Sequence, residues 1–193
     1  MKNIVYLIAF GTVFLIGCGE DPKKEVKDDN EFYKTEIPSA NELREGIALL
    51  EDSIMRMSQN SANIRKQLPN LTRQELIERA LLLYRNYPDD KDAAKCLDKV
   101  HMSYSTMEAY ILAAKYADTL IEAYPKYEER SRVIESVASH YDYFVKPWDG
   151  EKVKFYYDLL LNDYPNLTDE KKADVQYRLD NMHLTLEELM AKQ

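Results

Sequence analysis

Two thiols and three imidazoles are the groups in this 193-residue chain that offer chemistry beyond packing. Cys18 closes the run Leu15-Ile16-Gly17-Cys18, directly after the uncharged apolar stretch from Ile4 to Ile16. Gly17 before it is the small residue that an export-signal peptidase needs. Cys96 lies between Ala94 and Leu97 in a helical pattern and is expected to be a small core residue. Cys96 is the one other cysteine, so an intrachain disulfide would need Cys18 as its partner. His101, His140 and His183 lie far apart and lack the H-E-x-x-H spacing of a metal site, so buried or surface imidazoles without a metal are expected. No G-x-S-x-G, C-x-x-C, phosphate-binding loop or dinucleotide fingerprint occurs. Neither catalysis nor a cofactor is therefore expected.

The elements around Cys18 fit an export signal. Lys2 supplies a positive start, the 13 residues Ile4 to Ile16 an apolar middle, and Gly17-Cys18 the end. That stretch falls short of the roughly 20 residues a spanning helix needs. The segment resembles the lipobox of bacterial lipoproteins. The resemblance implies that residues 1–17 are removed and that Cys18 carries a thioether-linked diacylglycerol and, on its freed amine, a further acyl chain. Two or more chains give stable anchoring where one does not. The mature chain would hold 25 basic and 34 acidic side chains, a formal charge of −9 against −8 for the whole sequence. Such an acidic surface disfavours nucleic acid and anionic headgroups, so the lipid and not the charge is expected to hold the protein at a membrane.

Residues 18–36 are charged and poor in aliphatics, the composition of a flexible tether with a reach of roughly 60 Å at about 3.4 Å per residue. Beyond it only Gly46 and Gly150 remain, too few for the turns of a sandwich or barrel. Prolines at 69, 88, 125, 147 and 165 cut the chain into helix-length segments. Apolar residues recur at helical spacing between them, for example Ile134, Val137, Ala138, Tyr141 and Val145. Ser39…Glu42, Thr72…Glu75, Ser105…Glu108 and Thr185…Glu188 match the capping box of a helix start. The pattern predicts an all-α domain over 37–193, with seven helices at about 40–59, 72–87, 90–104, 107–124, 127–145, 150–164 and 168–190.

These helices repeat. Asn86-Tyr87-Pro88, Ala123-Tyr124-Pro125 and Asp163-Tyr164-Pro165 each end one, with the prolines 37 and 40 residues apart. Leu83, Leu120 and Leu160 stand five residues before the prolines, Ala80, Ala117 and Tyr157 eight before, and Leu76, Ala113 and Val153 twelve before. Upstream, Leu97-x-x-Val100-His101-x-x-Tyr104 returns as Ile134-x-x-Val137-Ala138-x-x-Tyr141. Over about residues 72–167 this resembles the tetratricopeptide repeat, a pair of antiparallel helices. His101 departs from the family's small-residue position, and Lys146-Pro147-Trp148 lies in a stretch longer than the family's turn. The resemblance implies a short right-handed solenoid closed by a C-terminal helix, with Lys171, Lys172, Asp174, Arg178 and Asp180 outward and Val175, Leu179 and Met182 inward.

By the same resemblance, the first helices of the pairs line a partner-binding groove. Matching positions assign Lys95, Asp98, Met102 and Ser105 to it from one repeat, and Arg132, Glu135, Ser139, Asp142 and Tyr143 from the next. Trp148 marks a second candidate contact loop, a tryptophan folded back onto the helices being the alternative. Of Phe155-Tyr156-Tyr157, Tyr156 is expected to be the exposed one. The function expected is a lipid-anchored scaffold that gathers envelope proteins or peptides, at the periplasmic side of an outer membrane, with no nucleic-acid partner and no small-molecule substrate. The alternative is a surface-displayed lipoprotein binding an external ligand, for which Glu20 and Asp21 behind Cys18 speak.

Overall fold

The computed structural model describes residues 36–60 and 67–191. The expectations for residues 1–17 and for the tether up to residue 35, Cys18 included, lie outside the described residues. The described chain is all-α: α1 (Ala40–Asn60), α2 (Gln67–Asn86), α3 (Ala93–Thr106), α4 (Tyr110–Ala123), α5 (Arg130–Ser139), α6 (Gly150–Asp163), α7 (Asp169–Asp180) and α8 (Leu186–Met190). A π-helical turn, His140–Phe144, continues α5 directly. No strand occurs among the described residues, and no described helix is long and apolar enough to cross a membrane.

From α1 to α7 each helix packs on the next. The spacing that defines the repeat is the spacing of the core: Leu83, Leu97, Leu120, Ile134 and Leu160 are all fully buried, as are Ala80, Ala117 and Val153. Each such leucine adds about 1.5–3 kcal/mol of burial. Polar ties then join alternate helices. Lys99 of α3 pairs with Glu51 of α1, Arg132 of α5 with Asp98 of α3, and Lys171 of α7 with Glu135 of α5.

The three Tyr-Pro corners share one geometry. At each, the tyrosine N–H donates to the carbonyl of the buried leucine four residues earlier: Tyr87 to Leu83 at 2.8 Å, Tyr124 to Leu120 at 2.9 Å and Tyr164 to Leu160 at 3.1 Å. The proline that follows has no N–H to continue the ladder, so the helix stops there. Asp90 N–H then returns to Tyr87, and Tyr127 N–H to Tyr124. These turns occupy 87–92 and 124–129, which is why α3 and α5 begin at 93 and 130 and not at the expected 90 and 127. Two corners also touch the preceding proline segment: the Tyr87 hydroxyl donates to the Pro38 carbonyl at 3.0 Å, and the Tyr124 hydroxyl to the Pro88 carbonyl at 2.9 Å.

Two of the four expected capping boxes exist. Ser39 and Glu42 bond each other's backbone at the start of α1, and Thr185 and Glu188 do so at α8. The latter box breaks the expected single helix 168–190 into α7 and α8. Thr72 lies inside α2, which begins five residues before the expected 72. Ser105 and Glu108 do the opposite of starting a helix: they end α3. Glu108 has φ 61°, its N–H reaches the Ser105 carbonyl at 3.0 Å, and the Ala109 N–H reaches the Tyr104 carbonyl at 2.9 Å. This is the Schellman pattern, which normally places glycine where Glu108 stands. Glu108→Gly should therefore raise stability by about 1 kcal/mol, the left-handed penalty of a non-glycine residue, read as a higher melting temperature.

Candidate functional site

The expected groove residues divide into an open group and a closed group. Lys95, Asp98, Met102 and Arg132 come together in one cleft of about 600 Å3, with Met55 of α1 and Tyr127 also lining it. Lys95 is exposed, and Met55 and Met102 are 60% and 44% exposed. α3 places Asp98 and Met102 one turn apart on the same face, the i,i+4 relation. Arg132 pairs with Asp98, lies 3.3 Å from Glu129, and brings its Nη1 to 3.5 Å from the Met102 sulfur. The Tyr127 hydroxyl donates to the same Asp98 oxygen at 2.9 Å. That contact and burial push the Tyr127 phenol well above its usual range, burial first. The other Asp98 oxygen, Oδ1, is buried without a partner. The cleft thus offers adaptable methionine surface between fixed ion pairs, a combination suited to peptide side chains.

Of the remaining expected groove residues, only Tyr143 stays open. Glu135 is tied to Lys171. Ser139 is half-buried. Ser105 points its hydroxyl at His140 Nε2, 2.9 Å away. Asp142 is a correction: it is 2% exposed and belongs to the interior. The cause is the π-helical turn. Its i→i+5 bond, Val145 N–H to the His140 carbonyl at 2.9 Å, admits an extra residue and turns the following side chains by about 100° relative to a continuous helix. Tyr143 stays exposed, beside Phe144 at a ring separation of 5.9 Å.

Asp142 is held by Arg178 of α7 through two bonds of 2.7 Å. Arg178, expected on the outer face, is itself buried and also donates to the Asn181 and Leu184 carbonyls. It so fixes the bend between α7 and α8. Trp148 completes this knot. Its indole N–H donates to Asp142 at 3.3 Å, and the Arg178 guanidinium lies 5.8 Å from its ring. Gly150 makes room, since a Cβ there would sit 2.7 Å from the indole. Trp148 is therefore folded back, although its edge still lines a cleft of about 680 Å3 with Ile111, Lys146 and Lys152. Tyr156 is likewise buried with its hydroxyl on Asp118, and it is Phe155 that faces outward.

The thiol of Cys96 is 2% exposed, and burial pushes it up to about 12, which makes it a packing group and not a nucleophile. Among the described residues no set of three or more His, Cys, Asp or Glu side chains could hold a metal ion. Sequence reasoning missed one cluster. His101 and His140 are both buried, with ring centroids 5.3 Å apart. A partial signal was present, because Ser105 and His140 are 35 residues apart and His101 and Ser136 likewise, two short of the 37 residues that separate Leu97 from Ile134. No protein-family model and no curated protein matches this chain.

Proposed function

We propose that this protein is a lipid-anchored helical adaptor of a bacterial envelope, held through Cys18 and binding a peptide segment of another envelope protein. The observation that carries the reading is the run Leu15-Ile16-Gly17-Cys18 behind an uncharged apolar stretch, which supports an envelope location and a lipid anchor. The tetratricopeptide-like spacing and the three equivalent Tyr-Pro corners support a solenoid of helix pairs, an architecture that works by presenting a surface. The cleft of Lys95, Asp98, Met102 and Arg132 is the surface best suited to a partner. Its exposed methionines adapt to an apolar side chain, and its paired charges set orientation.

Lys95 and Met102 are exposed, so substitution there leaves the fold within about 0.5 kcal/mol. In crosslinking on native membranes, Lys95→Glu with Met102→Asp should lower capture of the wild-type partners at least tenfold. Capture of the same partners at wild-type yield would move the contact away from this cleft and leave the Trp148 edge as the place to look.

A further inference from the structure

We infer that His101 and His140 form a proton-operated latch: neutral, the pair binds α3 to α5 and its π-helical turn, and doubly protonated it parts them. The geometry is that of a sealed pair. His101 is fully buried and His140 is 4% exposed. His101 Nδ1 lies 3.0 Å from the Ala113 carbonyl of α4, which can only accept, so this nitrogen carries the proton. Its Nε2 then accepts from the Ser136 hydroxyl of α5 at 3.0 Å. His140 Nε2 meets the Ser105 hydroxyl of α3, and its Nδ1 is buried with no partner. The two bonds run in opposite senses across one interface, histidine of α3 to serine of α5 and serine of α3 to histidine of the π turn. Tyr110 closes the site from α4, with its ring 5.2 Å from His140 and stacked on Phe144 at 4.3 Å.

Two imidazolium rings at this separation repel in a medium that screens poorly. A protonated His140 would also own a second N–H with nothing to bond. The other charged groups around the pair offset this only in part: Asp98 and Asp118 favour a charged His101 and Arg132 opposes it, but burial outweighs them. Asp98 of α3 is engaged by Arg132 of α5 and Tyr127. Asp118 of α4 bonds the Tyr156 hydroxyl of α6, and burial raises its own carboxyl. Asp142 of the π turn is held by Arg178 of α7. Lys152 of α6 adds a cation beside Tyr141. Burial keeps both imidazoles below their usual range, His140 near 4 with the His101 charge as a lesser cause.

The sign follows. Below about pH 6.5 an opened histidine takes a proton that the closed one refuses. The closed state is therefore fully favoured above that pH and loses ground as pH falls towards 4. For His140 alone the closed-to-open ratio drops roughly 100-fold over that range. Opening also separates Asp98 from Arg132, so acid would reshape the cleft between α3 and α5.

The test is amide hydrogen exchange on the whole chain at pH 7 and pH 4.5. α1 and α2 in the same sample serve as the reference for the intrinsic rate. Protection of α3 and α5 should fall at least tenfold relative to α1 and α2 at pH 4.5 and return at pH 7. His140→Gln, which keeps a donor for Ser105 and never charges, should hold that protection. Asp118→Asn should leave the transition where it is. Simultaneous loss of all helices, or an unchanged transition in His140→Gln, overturns the latch. Should His140→Gln fail to fold, NMR titration of the wild-type imidazoles decides the matter. Their protonation coinciding with the loss of α3–α5 protection supports the latch, and protonation without that loss overturns it.

Discussion

Arg178→Ala should destabilise the domain by about 3–5 kcal/mol, the range for breaking a buried ion pair from one side. Arg178 and Asp142 side chains are 7% and 1% exposed. Their two 2.7 Å bonds satisfy a carboxylate that otherwise keeps only the Trp148 indole at 3.3 Å. Removing the guanidinium leaves an uncompensated charge inside. It also frees the Asn181 and Leu184 carbonyls, so the α7–α8 bend goes with it. Arg178→Lys should recover only part of the loss, because an ammonium cannot reproduce two parallel bonds. Asp142→Leu with Arg178→Met removes both charges together and should be far milder than either single change. Urea unfolding followed by the fluorescence of Trp148, the only tryptophan in the chain, reads all three through a midpoint shift at constant slope. A loss below about 1 kcal/mol for Arg178→Ala would mean that the pair is solvated.

The same pair marks where sequence reasoning ran out. Period and burial agree wherever one rule governs them: Leu83, Leu120 and Leu160 are spaced alike and buried alike. The fold class and the ends of α2, α4 and α6 were legible for that reason. Three places obeyed a second rule. Asp142 has groove spacing on a continuous helix, but the π-helical turn rotates it inward. Ser105 and Glu108 spell a helix start, yet Glu108 adopts the left-handed conformation and closes α3. The identical spelling at Ser39 and Glu42 works as a start because a proline, not a helix, precedes it. Arg178 has the composition of an outer face and the partner of an inner one, a pairing visible only when α5 and α7 are side by side. Of the expected groove, Lys95, Asp98, Met102 and Arg132 share a cleft because they sit on straight stretches of helix. Asp142 drops out because it lies within the π turn, and Ser139, directly before that turn, is half-buried.

Cys18→Ser should move the protein from the membrane to the soluble fraction. Two or more acyl chains hold a chain stably, and the acidic remainder of the sequence offers no compensating attraction to anionic lipid. The loss should be nearly complete, because the folded domain has no described helix able to span a bilayer. The substitution leaves every described residue unchanged, so the melting temperature of the domain should not move. The most direct measurement is the mass of the N-terminal peptide of the wild-type protein extracted from membranes. The expected result is a chain that begins at Cys18 and carries thioether-linked diacylglycerol. An intact Met1 terminus, or a membrane-bound chain with an unmodified Cys18, would contradict the anchor and with it the envelope role built on it.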